Sequence, residues 1–238
     1  MRPWIDRRTL IDEARQFVHR NGYFLRTHAK RISSLVEIAV YNSIVSYYED
    51  SGYRLRAMNL GPKSSFKYKV SSTGHTKNFS YFRATDVESN ATIDIFHNTK
   101  VQSAHHGHLY YTPDVAVCEI RGNVTKLLKS GRRHSYIVNA KLISFVEVKH
   151  LPPFPEALFS FTGLVLEFLP RFIDHTVIID GRATHLSPMI VFTGVPSAHS
   201  ENIRDVLMER YGINIVYGTQ KTNGRITKYS ELIKYRTS

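Results

Sequence analysis

The spacing of hydrophobic positions changes along the chain. From residue 4 to 20, Trp4, Ile5, Leu10, Ile11, Ala14, Phe17 and Val18 recur at helical spacing, and Asn21-Gly22 ends the run. A second helix is predicted over about 32–48, with Ser33 or Ser34 near its cap. Leu35, Val36, Ile38, Ala39, Val40, Ile44 and Val45 cover most of its circumference, so it is expected to be largely buried, yet Glu37 sits among them. After Ser51-Gly52 the pattern shortens to β-like runs over 53–58, 66–70, 81–85, 92–96, 115–120 and 143–149, separated by Gly, Asn, Ser and Lys. Residues 155–169 read as an apolar helix stopped by Pro170, and 189–193, 201–211 and 213–217 read as strand, helix and strand. No repeat, low-complexity segment or interdomain linker interrupts this order, which predicts one α/β domain with a mixed sheet flanked by helices. In that reading a basic N-terminal helical segment (1–31) packs on a core (32–220), and a basic tail (221–238) follows.

Composition narrows the classes. With 238 residues, 42% of them hydrophobic, the chain can bury a proper core. No apolar run approaches the roughly 20 residues that span a bilayer, and the N-terminal "MRPWIDRRTLIDEAR" lacks the apolar stretch of a signal peptide. A single cysteine, Cys118, excludes an internal disulfide and any Cys-rich zinc site, so a cytoplasmic protein is expected. The net charge of +12 favours a polyanionic partner, nucleic acid first. Its distribution strengthens that expectation. Between residues 121 and 141 stand Arg121, Lys126, Lys129, Arg132, Arg133 and Lys141, with no Asp or Glu, and residues 1–31 carry eight basic against three acidic side chains. These basic residues, with His106 and His108, are the predicted nucleic-acid contacts.

One stretch carries chemistry. In "SFVEVKHLPPF" (144–154) a strand pattern is interrupted by Glu147 and Lys149. Residues two apart on a strand share a face, so both heads project together while Val148 points into the core. Asp114 opens the run "YTPDVAVCEI", directly after Pro113, whose missing N–H suits a strand's first residue. If the two strands are neighbours, Asp114 meets Glu147 at one end of the sheet, across a basic loop. Facing carboxylates repel unless a proton or cation intervenes, and a hard divalent ion also accepts phosphate oxygens. Val148 can add its backbone carbonyl, and Lys149 can orient a water or neutralise charge on phosphorus.

Pro113-Asp114 and Glu147-Val148-Lys149 resemble the motif of the PD-(D/E)xK nuclease superfamily, and the element order over about 32–217 is similar to its restriction-endonuclease-like fold. The resemblance implies Mg²⁺- or Mn²⁺-dependent endonucleolytic hydrolysis of DNA. It assigns Asp114, Glu147 and the Val148 carbonyl to the metal and Lys149 to the water or the developing charge. It makes Glu37 an additional acidic catalytic residue and metal ligand. Some branches of the family carry a Gln in the helix after the E-x-K strand; residues 155–169 contain none.

Other signals point elsewhere. His105, His106 and His108 could hold Zn²⁺ or Ni²⁺, but near-adjacent loop histidines seldom converge on one ion. Asp94 could be an additional acid near the site but reads better as the outward residue of an alternating strand, Tyr110 and Tyr111 read as core or stacking groups, and Glu119 as the partner of a local Lys or Arg. The Gly194 turn lacks G-x-G-x-x-G spacing, and no Walker A, G-x-S-x-G or H-E-x-x-H motif occurs. Three classes remain: a metal-dependent endonuclease acting on double-stranded DNA, as a homodimer or beside a partner protein; a non-catalytic nucleic-acid-binding module on the same fold; and an interaction protein with an acidic partner. The first is the reading adopted.

Overall fold

A computed structural model describes residues 32–127, 133–175, 178–179, 185–218 and 231–236. The predicted helix over 4–20, and with it the 1–31 segment, lies outside the described residues. Helix α1 (Ile32–Asp50) is followed by Gly52, whose φ of +91° turns the chain into strand β1 (Tyr53–Met58). Then come β2 (Tyr81–Asp86), β3 (Thr92–His97), two short strands β4 (Val101–Gln102) and β5 (Tyr110–Tyr111), and β6 (Val115–Glu119). A hairpin, β7 (Asn123–Leu127) with β8 (Arg133–Ile137), precedes the long β9 (Leu142–Lys149) and helix α2 (Pro155–Phe168). Two short strands, β10 (Ile178–Ile179) and β11 (His185–Leu186), lead to β12 (Met189–Phe192), α3 (Ala198–Tyr211), β13 (Asn214–Tyr217) and β14 (Lys234–Arg236).

Seven strands form the main sheet, in the order β1-β2-β3-β6-β9-β12-β13. Pairing is antiparallel from β1 through β9 and parallel from β9 through β13, so the sheet is mixed, as the element order predicts. Helices cover both faces. On one, the α1 residue Tyr41 donates its hydroxyl to Ile95 O at 2.9 Å and packs against Phe82 and His97. On the other, Phe161 of α2 meets Phe145, and Tyr217 donates to Ser200 O on α3. β9 lies between these layers and is buried from Leu142 to Val148, which explains its near-continuous apolar pattern.

Several sequence expectations are corrected. Residues 66–70 form no strand: Phe66 and Tyr68 are buried, but Lys67 binds Ser80 through both its N–H and its carbonyl instead of joining a ladder. The basic loop between Asp114 and Glu147 contains the β7–β8 hairpin, which joins β4 and β5 in a second sheet, order β5-β4-β8-β7. Asp94 does not face outward. It is 4% exposed and held by Arg83 at 2.7 and 2.9 Å, a bidentate pair that repays the desolvation of the carboxylate. The segment 221–238 is not wholly a tail, because β14 pairs with β10 and β11 and Tyr235 is fully buried with its hydroxyl on Ile143 O. Cys118 is buried, and Glu119 pairs with Lys141 at 2.6 Å, a local lysine as expected.

Candidate active site

Neighbouring strands β6 and β9 bring the motif together. Val115 lies opposite Val146, so the same register carried one residue further sets Asp114 across from Glu147, and one more sets Pro113 across from Val148. Asp114 Oδ2 accepts the Val148 N–H at 2.6 Å. The N–H and C=O of one strand residue leave on the same side, so the Val148 carbonyl points toward the β6 side, where the preceding Pro113 has no N–H to offer. A backbone oxygen beside two carboxylates is thereby left without its ladder donor.

Lys149, two residues beyond Glu147, donates from Nζ to Glu147 Oε1 at 2.5 Å. The other oxygen, Glu147 Oε2, is buried without a hydrogen-bond partner. Leaving a buried carboxylate oxygen unpaired costs about 1–3 kcal/mol or more, which marks a position suited to a cation or a proton. Glu37 reaches the same place from α1, its Oε2 3.5 Å from Asn98 Nδ2. Burial pushes the Glu37 carboxyl above its ordinary value; the Asn98 contact opposes this, and the Glu147 charge adds to it. Asp114 is driven well above the carboxylate range by burial first, then by the charges of Glu147 and Glu37, against the Val148 N–H bond and Lys149. Three carboxyls therefore share one field with the Lys149 ammonium.

A residue that the sequence did not assign to the site also belongs here. Tyr111 packs on Phe168 with ring centroids 5.6 Å apart, and its phenol is pushed up by burial, then by the charge of Glu147 and a side-chain hydrogen bond with it, and then by the Asp114 charge. Its signal was present in the short interval between Tyr111 and Asp114, but aromatic residues beside a strand are more often core. Asn98 and the buried His97 stand behind Glu37 and carried no sequence signal beyond an ordinary strand end.

The other predicted residues are spread out. Asp114 and Arg121 bracket the five residues of β6, so Arg121 stands at the far end of that strand from the carboxyls. Lys126 is exposed on β7, with Nζ 5.6 Å from the Tyr136 ring. Lys129 and Arg132 lie outside the described residues, as does the side chain of Arg133. His106 and His108 are exposed in the β4–β5 turn, where His106 Nδ1 accepts the His108 N–H at 3.3 Å.

Among the described residues, no group of three or more His, Cys, Asp or Glu converges on a common metal position, at the histidine turn or at the carboxyls. This does not count against magnesium at Asp114 and Glu147, because Mg²⁺ binds through one or two carboxylates and keeps several waters. Two adjacent acids, one with an orphaned oxygen, and a carbonyl lacking its ladder donor fit such an ion. Comparisons with protein-family models, curated proteins and solved structures found no match.

Proposed function

We propose that this protein is a metal-dependent endonuclease that hydrolyses phosphodiester bonds of DNA through Asp114, Glu147 and Lys149, on a restriction-endonuclease-like arrangement of its sheet and helices. The observation that carries the reading is the approach of Asp114 and Glu147 at the end of two adjacent strands, with Lys149 on Glu147 and the Glu37 charge felt by both. Asp114, Glu147 and the Val148 carbonyl would hold Mg²⁺ or Mn²⁺, with Glu37 as an outer or second-metal group, and the ion would supply Lewis-acid charge neutralisation at the phosphate. The chain's own groups do the rest. Lys149 Nζ sits where it can orient a water or meet charge developing on phosphorus. Partial burial of the carboxyls keeps bulk water from screening these charges. The net charge of +12 favours a polyanionic substrate and steers its approach. Duplex DNA is the expected one, and cutting both strands suits a dimer or a partner protein.

Supercoiled plasmid incubated with Mg²⁺ or Mn²⁺ tests this directly. Metal-dependent nicking is expected, suppressed by EDTA and reduced about 10²- to 10⁴-fold by Lys149→Ala or Asp114→Ala. Cleavage that survives both substitutions would sink the assignment. A second reading, a module that binds nucleic acid without cutting it, is favoured by the direct Lys149–Glu147 pair, which satisfies half the acid without a cation. Salt-sensitive DNA binding with no cleavage under any metal would support that reading instead.

A further inference from the structure

We propose that Asn98 is the positioning residue of this site: its backbone and amide together fix the Glu37 carboxylate and the Asp114 turn relative to one another, and so set the affinity for a divalent cation. The inference rests on the nuclease reading above. Asn98 follows β3 with φ at +49° and is 7% exposed. Its N–H donates to Asp114 O at 2.9 Å, tying the β3 end to the turn that presents the Asp114 carboxyl. Its own carbonyl accepts from the buried Lys69 Nζ at 2.5 Å, and that ammonium also donates to Ser71 O at 2.7 Å. The amide nitrogen lies 3.5 Å from Glu37 Oε2 and 3.4 Å from His97 Nε2.

These contacts use both hydrogens of the Asn98 amide. An amide NH₂ has two hydrogens, and the two neighbours can take one each: the Glu37 carboxylate and the ring nitrogen of a neutral, fully buried His97. Flipping the amide would set its oxygen against the carboxylate, so the orientation is determined. Both distances exceed the ordinary 2.9–3.0 Å of an N–H···O bond, which means that the amide steers Glu37 rather than clamping it. A helix and a strand turn, distant from each other in sequence, are thus referenced to one side chain. Asn also tolerates the left-handed conformation that few other side chains accept. The substitution Asn98→Asp would keep the backbone but place a further charge against Glu37, whereas Asn98→Gly would keep the backbone and remove both donors.

The test measures Mn²⁺ binding to the full chain by the loss of free-Mn²⁺ electron-paramagnetic-resonance signal, alongside plasmid cleavage. Asn98→Gly is expected to weaken Mn²⁺ binding about tenfold, the effect typical of removing a group that orients a metal ligand. Glu37→Gln should weaken it comparably. The double variant should be little worse than either single one, because Asn98 acts through Glu37. Cleavage by Asn98→Gly should recover as Mn²⁺ is raised, which a merely structural defect would not produce. If the glycine variant fails to fold, Asn98→Ser, whose hydroxyl is too short to reach Glu37, should show the same loss. Wild-type affinity in a folded Asn98 variant, or fully additive losses, overturns the inference alone. A wild-type chain that binds no Mn²⁺ overturns the nuclease reading and the inference together.

Discussion

At the residue scale the central fact is an unfavourable one: Asp114 is half-buried within the field of two other carboxyls. Because its folded-state pKa is raised, the folded chain binds a proton that the unfolded chain has released. The sign follows. The contribution of Asp114 to stability is greatest where it is protonated in both states, and that contribution falls as pH rises from about 4, the unfolded carboxyl range. Asp114→Asn keeps an acceptor for the Val148 N–H and removes the charge. In metal-free buffer at pH 8 it should therefore melt about 2–8 °C above wild type, the shift expected for 1–2 kcal/mol in a domain of this size. Mn²⁺ should raise the wild-type melting temperature and leave that of the variant unchanged. Identical thermal profiles for the two proteins at pH 5 and pH 8 would contradict the buried-charge account. Asp94 shows the opposite solution, a buried acid fully met by Arg83. Arg83→Ala strands it and should cost about 3 kcal/mol in urea unfolding; a change below about 0.5 kcal/mol, the range of an ordinary surface substitution, would mean the pair contributes little.

At the element scale, β9 and β12 present Lys149, and the turn after β12 secures them. Thr193 N–H donates to Lys149 O at 3.0 Å and Gly194 N–H to Leu151 O at 3.2 Å. A Cβ on Gly194 would lie 2.4 Å from the Pro152 backbone. Glycine is thus required here for close approach, not for nucleotide binding. Gly194→Ala should destabilise the chain by about 1–3 kcal/mol and lower cleavage by displacing the end of β9. Urea denaturation and plasmid nicking read the two effects, and a variant indistinguishable from wild type in both would refute the packing argument. The strands of the main sheet, with their apolar runs, were legible nearly to the residue. The β7–β8 hairpin was not. Its Asn, Thr, Lys, Arg, His and Ser content carries no apolar alternation, and it is held by pairing with β4 instead. Residues 66–70 erred the other way, since aromatic burial there comes from contact with α1 and β2 rather than from strand pairing.

At the scale of the whole molecule, two histidines oppose acid. Burial first, aided by nearby cations, holds His97 down to about 3 and His185 down to about 4. Both are neutral in the folded chain, whereas the unfolded chain takes up their protons from about pH 6.5 downward. Their contribution is complete above that pH and lost as it falls toward 4, at up to about 1.4 kcal/mol per pH unit for each group. The urea midpoint should drop between pH 7 and pH 4.5, and His185→Gln should flatten the drop; an unchanged slope would remove His185 from the account. No helix among the described residues is long and apolar enough to cross a membrane. β14 closes the fold toward the Ile143 end of β9, with Tyr235 between Phe172 and His185.

What the sequence determined by itself was local: where periodicity reports helix or strand, where proline and glycine end elements, and that two acids and a lysine lie on strands able to share a site. The pairing of Glu147 with Lys149 follows from the two-residue repeat of a strand and needed no tertiary knowledge. Tertiary structure decided what lies side by side. It chose β6 and β9 as partners, gave Asp94 its arginine, turned Tyr111 toward the acids and set Asn98 between Glu37 and Asp114. The physical reason is that hydrophobic periodicity records only which face of an element is buried. The polar contacts that build a site depend on register and on residues distant in the chain, and single polar side chains such as Asn98 leave no periodic trace.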